Sequence, residues 1–249
     1  MLALQGLPEI EPGVDLAQVV IDTLARSGTI PVAGDVLVFA QKVVSKAENA
    51  FVDLNRVTPG ERAREIALKT LKDPRVVELI LSESTEILRA VPNVLIVRHR
   101  LGYVSANAGI DRSNIPSQNG KELVLLLPAD PDRSAQALRD RLTAAFGAPL
   151  AVVISDSFGR PWRIGTTNIA LGCAGLPSLV DQRGQRDRNG RMLEATQVAV
   201  GDAIASAAGL AMGEGAEGTP VVLVRGLNYE GEPRNAAALI RSIEQDLFR

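Results

Sequence analysis

Leu150-Ala151-Val152-Val153-Ile154-Ser155-Asp156-Ser157 decides how the fold is read: five consecutive apolar residues run straight into an acid flanked by hydroxyls. A short apolar run rich in β-branched residues reads as a strand covered on both faces, and therefore as an interior member of a sheet. Such a strand, ending at Ser155, would deliver Asp156 and Ser157 at its C-terminal end and hold two oxygen donors rigidly side by side. Arg160 and Arg163 follow, with guanidinium forks suited to phosphate or carboxylate. The same residues read equally well as an Asp-Ser turn or helix cap followed by two surface arginines. The local sequence leaves both readings open.

Working outward, Asp35 to Ala40 reads as a second buried strand, running into Gln41-Lys42-Val43-Val44-Ser45-Lys46, and Pro220 to Arg225 as a third. Leu123 to Leu127 is a further apolar strand, and Glu86 to Val104 reads as successive strands turning at Pro92-Asn93 and Gly102. Asp15 caps a helix that Gly28 ends, with Leu16, Val19, Val20 and Leu24 on its apolar face. Thr58-Pro59-Gly60-Glu61 has the pattern of a capping box. Asp73-Pro74 and Asp130-Pro131 open two more helices, the second ending near Gly147. Ala195 to Leu210 and Asn235 to Phe248 read as the remaining helices. Strands and helices mix without steady alternation, and neither a repeat nor a low-complexity linker interrupts them. The expectation is an α+β (mixed α/β) architecture in one domain over 1–249, with ordered loops at 105–120 and 156–191.

Composition narrows the chemistry. A net charge of -2, one Trp, two Tyr and five Phe provide neither a basic field nor stacking surfaces for nucleic acid. The single cysteine, Cys173, excludes an internal disulfide and a cysteine-built zinc site. The single histidine, His99, closes a strand and is read as structural rather than catalytic. Any metal is then expected to be a hard cation on oxygen ligands, Mg²⁺ or Mn²⁺. The N-terminus lacks a signal sequence and no apolar run approaches the ~20 residues that span a bilayer, so the expectation is a cytoplasmic protein without membrane contact.

Three further segments could bear chemistry. Ser105-Ala106-Asn107-Ala108-Gly109-Ile110-Asp111-Arg112-Ser113-Asn114 packs small residues around one carboxylate, although a solvated turn explains it as well. Met212-Gly213-Glu214-Gly215-Ala216-Glu217-Gly218-Thr219 could expose backbone N–H groups to phosphate, or simply join a helix to a strand. Lys42 and Lys46 share a face if the segment after Ala40 is helical; lysines there are otherwise just solvated.

In order, these segments resemble the coenzyme F420-0:L-glutamate ligases. The likeness is carried by Leu7-Pro8-Glu9-Ile10, Gln41 to Lys46, Asn107 to Asn114, Ser155 to Gly165, Met212-Gly213-Glu214 and Val224-Arg225-Gly226. The resemblance implies GTP-dependent amide formation with two divalent cations, Mn²⁺ or Mg²⁺, and a potassium ion, in an intertwined homodimer of two-lobed protomers. It places Asp111 and Asp156 on a first metal, and Ser157 and Glu214 on a second. Leu7, Pro8, Glu9, Ile10, Gln41, Lys42, Lys46, Asn114, Met212, Gly213, Glu214, Gly215, Ala216, Glu217, Gly218 and Thr219 would line the GTP site. Asp111, Asp156 and Lys46 would bear on catalysis, with L-glutamate and the deazaflavin precursor F420-0 as the other substrates. Two rival readings are another metal-dependent phosphotransfer enzyme or carboxylate ligase, and a non-catalytic nucleotide-binding protein.

Overall fold

The computed structural model describes residues 1–113, 115 and 120–246. The chain opens with β1 (Leu2–Ala3), α1 (Leu16–Arg26), β2 (Val36–Ala40), α2 (Gln41–Ala47) and β3 (Phe51–Asp53). It continues with α3 (Glu61–Thr70), α4 (Pro74–Ser82), β4 (Ser84–Val91), β5 (Val94–His99), β6 (Val104–Ala106) and β7 (Leu123–Leu125). Then come α5 (Pro131–Phe146), β8 (Ala151–Arg160), β9 (Arg163–Ala174), β10 (Leu179–Asp181), β11 (Gln197–Ala199), α6 (Val200–Met212) and β12 (Val221–Val224).

A five-stranded sheet of order β1-β12-β2-β8-β9 organises the larger lobe. β2 and β8 run parallel, with Val36 opposite Ala151 and Ala40 opposite Ser155, while the other neighbours are antiparallel. Side chains alternate along a strand, so Leu37, Phe39, Val152 and Ile154 enter one layer and Val36, Val38, Ala151 and Val153 the other. α1 and α5 cover the first layer with Val20, Leu24, Leu138 and Leu142. α6 covers the second with Ile204, Ala205 and Ala208. Both central strands are buried on two faces, as their unbroken apolar runs imply.

The long excursion from β2 to β8 builds the smaller lobe. There α3 and α4 pack Ala63, Val77 and Ile80 against Leu95 and Val97 of the β4-β5-β6 sheet and Val124 of the β3-β7 pair. Tyr103, Leu127, Phe158 and Leu171 join residues of both lobes in one further cluster. The class is α+β. Asp15, Asp73 and Asp130 cap their helices as expected, accepting from Gln18 N at 3.1 Å, Arg75 N at 2.8 Å and Arg133 N at 3.1 Å. No helix of the described residues is long and apolar enough to cross a membrane.

Four local expectations change. α3 has no capping box: it starts after Gly60, whose N–H donates instead to Glu78 Oε2 on α4 at 2.7 Å. α6 begins at Val200 rather than 195, because Gln197–Ala199 pair with β10. The segment from Asn235 is not a helix but two single 3₁₀ turns, Ala236–Leu239 and Ile243–Gln245; its predicted end at Phe248 lies outside the described residues. Asp132 captures the Ala236 and Ala237 N–H groups, and Ile240 packs over Gly102, so tertiary contacts override helical propensity. Finally, β8 does not stop at Ser155. It runs on to Arg160 and returns as the twelve-residue β9, where the sequence suggested loop. Residues 156–160 are too polar to announce a strand by themselves; the backbone of β9 supplies their hydrogen-bond partners.

Candidate active site

Asp156 therefore sits within a hairpin. The register steps between Ile154↔Gly172 and Ser155↔Ala170, which leaves Leu171 as an extra residue on β9. A bulge of this kind bends the strand and re-aims the side chains that follow. Ser155 lies buried beneath, its Oγ 3.4 Å from Phe39 O. Asp156 and Ser157 open into a cavity of about 460 Å³, within the size range of small-molecule sites.

The cavity gathers four separated segments. Leu7, Pro8, Glu9 and Ile10 form one wall; Gln41, Lys42 and Lys46, on the first turns of α2, form another. Asp156 and Ser157 line the floor, and Met212, Gly213, Glu214, Gly215, Ala216, Glu217, Gly218 and Thr219 close the far side. α2 is the helix that the Lys42/Lys46 spacing required. It buries Gln41, whose Oε1 accepts from Ser45 Oγ at 2.9 Å, and Lys46, whose Nζ donates to Glu9. The glycine-rich loop is folded on itself: Gly215 N donates to Glu217 Oε2 at 2.8 Å and Thr219 Oγ1 to Met212 O at 3.0 Å. The Gly215 N–H is thus engaged within the loop.

Asp111 arrives from the smaller lobe. Asn107, Ala108 and Gly109 all adopt positive φ (55°, 54° and 69°), two of them non-glycine residues held where side chains strain. This left-handed turn ends in a clamp in which Asp111 N donates to Leu125 O at 3.0 Å and Leu125 N to Asp111 O at 2.9 Å. The Asp111 carboxylate then meets Lys42 Nζ at 2.6 Å and accepts from Ser113 N at 2.7 Å. Burial opposes its ionisation, but Lys42 and the Ser113 N–H outweigh that and hold the carboxyl below its ordinary value. Asp156 behaves oppositely. It is lifted to about 7, chiefly by burial and further by the charges of Asp111 and Glu214, with the Ser157 N–H and Lys42 offsetting part of the rise.

The chain thus directs the charges of Asp111, Asp156 and Glu214 toward one region, with Ser157 adjacent and Lys42 acting on Asp156 as a cation. A buried carboxyl raised this far lacks positive charge, and every donor in the set is oxygen; both features suit a hard divalent cation. Among the described residues no three His, Cys, Asp or Glu side chains close into a ready-made metal cluster, and Lys42 occupies one face of Asp111. Asn114 lies outside the described residues. The sequence reading missed Ala40, Val43, Ser155, Asn168 and Pro220 in the lining. Ala40, Ser155 and Pro220 abut flagged segments, whereas Asn168 is brought in only by strand pairing with Ser157. A larger cavity of about 770 Å³, bordered by Arg100, Tyr103, Asp132, Arg133 and Arg234, contains none of the flagged residues; the chemistry, not the size, selects the smaller one. His99 is buried, accepting from Leu101 N at 3.1 Å through Nδ1, in keeping with a structural role.

Residues 6–226 match the family described as F420-0:Gamma-glutamyl ligase. The chain belongs to this family. Relatives named coenzyme F420:L-glutamate ligase share its full length: that of Methanopyrus kandleri is 46% identical, covering 97% of this chain and 94% of its own. The ligase of Methanothermobacter thermautotrophicus is 42% identical over 100% and 98%, and that of Natronomonas pharaonis 43% over 100% and 94%. Of the six stretches that carry the likeness, residues within 7–10, 41–46, 155–165 and 212–214 border the cavity, Asp111 of a fifth meets Lys42, and Val224-Arg225-Gly226 lies outside the lining.

Proposed function

We propose that this chain is a GTP-dependent ligase that joins L-glutamate to the carboxylate of the deazaflavin precursor F420-0 and extends a γ-linked glutamyl tail. The observation that carries the reading is the convergence of Asp156, Ser157, Lys42, Lys46 and the 212–219 loop on one cavity, with Asp111 held against Lys42. A carboxylate is a poor acyl electrophile because its leaving group would be oxide. In the proposed reaction a carboxylate oxygen of the precursor attacks the γ-phosphorus of GTP, GDP departs, and an acyl phosphate results. The glutamate amine then attacks the acyl carbon, phosphate leaves, and the amine proton is lost to solvent or a nearby carboxylate.

Phosphoryl transfer of this kind depends mainly on alignment and charge neutralisation. Asp111 and Asp156 would hold one divalent cation and Ser157 and Glu214 a second, Mn²⁺ or Mg²⁺, with potassium as a further ion. When bound, such ions neutralise phosphate charge. Lys42 and Lys46 face the same cavity and add ammonium charge for the phosphates. Glu9, which pairs with Lys46 in the structure, would release it to accept from the N1 and N2 hydrogens of guanine, a contact adenine cannot make. The bare apolar tip of the β8–β9 hairpin, where Trp162 is 88% exposed and Ile164 fully so, supports a homodimer. We place the reaction in the cytoplasm.

The test is incubation with F420-0, L-glutamate, GTP and Mn²⁺ followed by mass spectrometry. Products heavier by one or more glutamyl units, formed only with GTP, are expected. GTP hydrolysis indifferent to the precursor would point to another phosphotransfer enzyme. GTP binding without GDP release under full substrate supply would point to a non-catalytic binder.

A further inference from the structure

Asn168 stands directly across the ladder from Ser157, in the cavity wall, and no part of the proposed reaction yet uses it. Its backbone is fixed: the Asn168 carbonyl accepts from Ser206 Oγ on α6 at 2.7 Å, and the same hydroxyl lies 3.0 Å from Thr167 Oγ1. Its carboxamide, by contrast, is half-buried and has no hydrogen-bond partner among the described residues. A carboxamide carries two donors and an acceptor, and one in a cavity wall without a protein partner is available to whatever the cavity binds.

The helix facing it has made room. A Cβ on Gly209 would lie 2.6 Å from Asn168 Cγ, closer than non-bonded atoms allow, so any side chain at 209 would evict the carboxamide from its position. Glycine inside a helix is unfavourable relative to alanine, and here that cost coincides with space occupied by one polar group. The Oδ1 atom is turned toward Gly209, whereas Nδ2 is farther from the same point, at 3.2 Å.

We propose that Asn168 is a nucleotide-binding residue that donates its carboxamide N–H to an anionic oxygen of the nucleotide's phosphate chain, and that Gly209 admits it. The inference rests on the nucleotide reading above. A neutral donor suits this spot: it binds phosphate without competing for the carboxylates of Asp111 and Asp156.

The experiment is calorimetric titration of the full-length protein with GTP in the presence of Mn²⁺, paired with titration of Mn²⁺ alone. Wild-type binding of GTP tests the underlying reading; if none occurs, both claims fall. Given binding, Asn168→Ala should weaken GTP about tenfold, or about 1.4 kcal/mol, and leave the affinity for Mn²⁺ alone unchanged. Asn168→Asp should weaken GTP further, because a carboxylate would meet phosphate. Gly209→Ala should reproduce the alanine effect in the wild type and add nothing in the Asn168→Ala background. Wild-type GTP affinity in Asn168→Asp, tighter Mn²⁺ binding by that variant, or additive effects of the two alanine changes would each overturn the assignment while leaving the ligase reading in place.

Discussion

Consider Gly109→Ala, a change of one methyl group two residues from Asp111. Gly109 has φ +69°, where an L-residue costs roughly 1 kcal/mol or somewhat more. Its missing Cβ would lie 2.8 Å from both Cγ and Cδ1 of Leu127. Leu127 cannot swing clear, because it is 3% exposed and wedged among Tyr103, Phe158 and Leu171. Overpacking of a closed core typically costs about 1–3 kcal/mol, so the two effects together amount to about 3 kcal/mol. For a chain of this length that corresponds to a fall in melting temperature of about 6–12 °C. Gly147→Ala separates the contributions, since it shares the positive φ (63°) but meets nothing within 4 Å; it should cost only about 1 kcal/mol. Differential scanning calorimetry of the two variants reads the difference directly. Ligase turnover assayed well below either melting point should also fall for Gly109→Ala, because the displaced turn carries Asp111 away from Lys42. A Gly109→Ala protein that melts with Gly147→Ala and keeps full turnover would refute this account of how Asp111 is placed.

Other substitutions test the remaining parts. Asp156→Asn keeps shape but removes a charge that the fold itself destabilises, so the melting temperature should not fall while Mn²⁺-dependent turnover drops at least about a hundredfold; wild-type turnover would remove Asp156 from the chemistry. Asp132 accepts from Cys173 N at 2.9 Å, Ala236 N at 2.7 Å and Ala237 N at 3.2 Å. At about 1 kcal/mol per bond, Asp132→Ala should lose about 3 kcal/mol in urea unfolding and Asp132→Asn about 1; equal losses would contradict the assignment. Burial, reinforced by Arg100 and partly opposed by Glu83, holds the His99 imidazole below its ordinary value. The unfolded chain then takes up this proton first, so the contribution to stability is complete above about pH 6.5 and declines as pH falls through the folded value. Melting curves from pH 7.5 to 5 should show that slope flattened in His99→Gln, and an unchanged slope would count against it. If GTP is the cosubstrate as proposed, Glu9→Gln should erode its advantage over ATP; an intact advantage would show that guanine is read elsewhere.

Much of this molecule was legible before any coordinates. Asp15, Asp73-Pro74 and Asp130-Pro131 begin helices because a carboxylate at the N-cap satisfies amides that lie within three residues, a contact that needs no distant partner. The apolar runs at 36–40, 151–154 and 221–224 similarly announce buried strands. The segments that carry the family likeness were readable in order, and residues of four of the six line one cavity. Elements that depend on a remote partner were less legible. Gly60 is held by Glu78, Gln197–Ala199 by β10, and the chain after Asn235 by Asp132, so local pattern mispredicts all three.

What sequence alone determined is therefore the set of chemical groups and the local elements that bear them: oxygen donors without a second histidine or cysteine, two lysines one helical turn apart, and strands hydrophobic enough to be central. Which groups meet was left to tertiary structure. Strand pairing brought Asn168 opposite Ser157, a left-handed turn carried Asp111 across to Lys42, and Arg225 closed on the buried Asp35 from 190 residues away, with Nη2 2.7 Å from Oδ2. Local patterns report short-range backbone and burial preferences. Contacts between distant segments are selected by packing and charge compensation over the whole chain, which no single window of sequence contains.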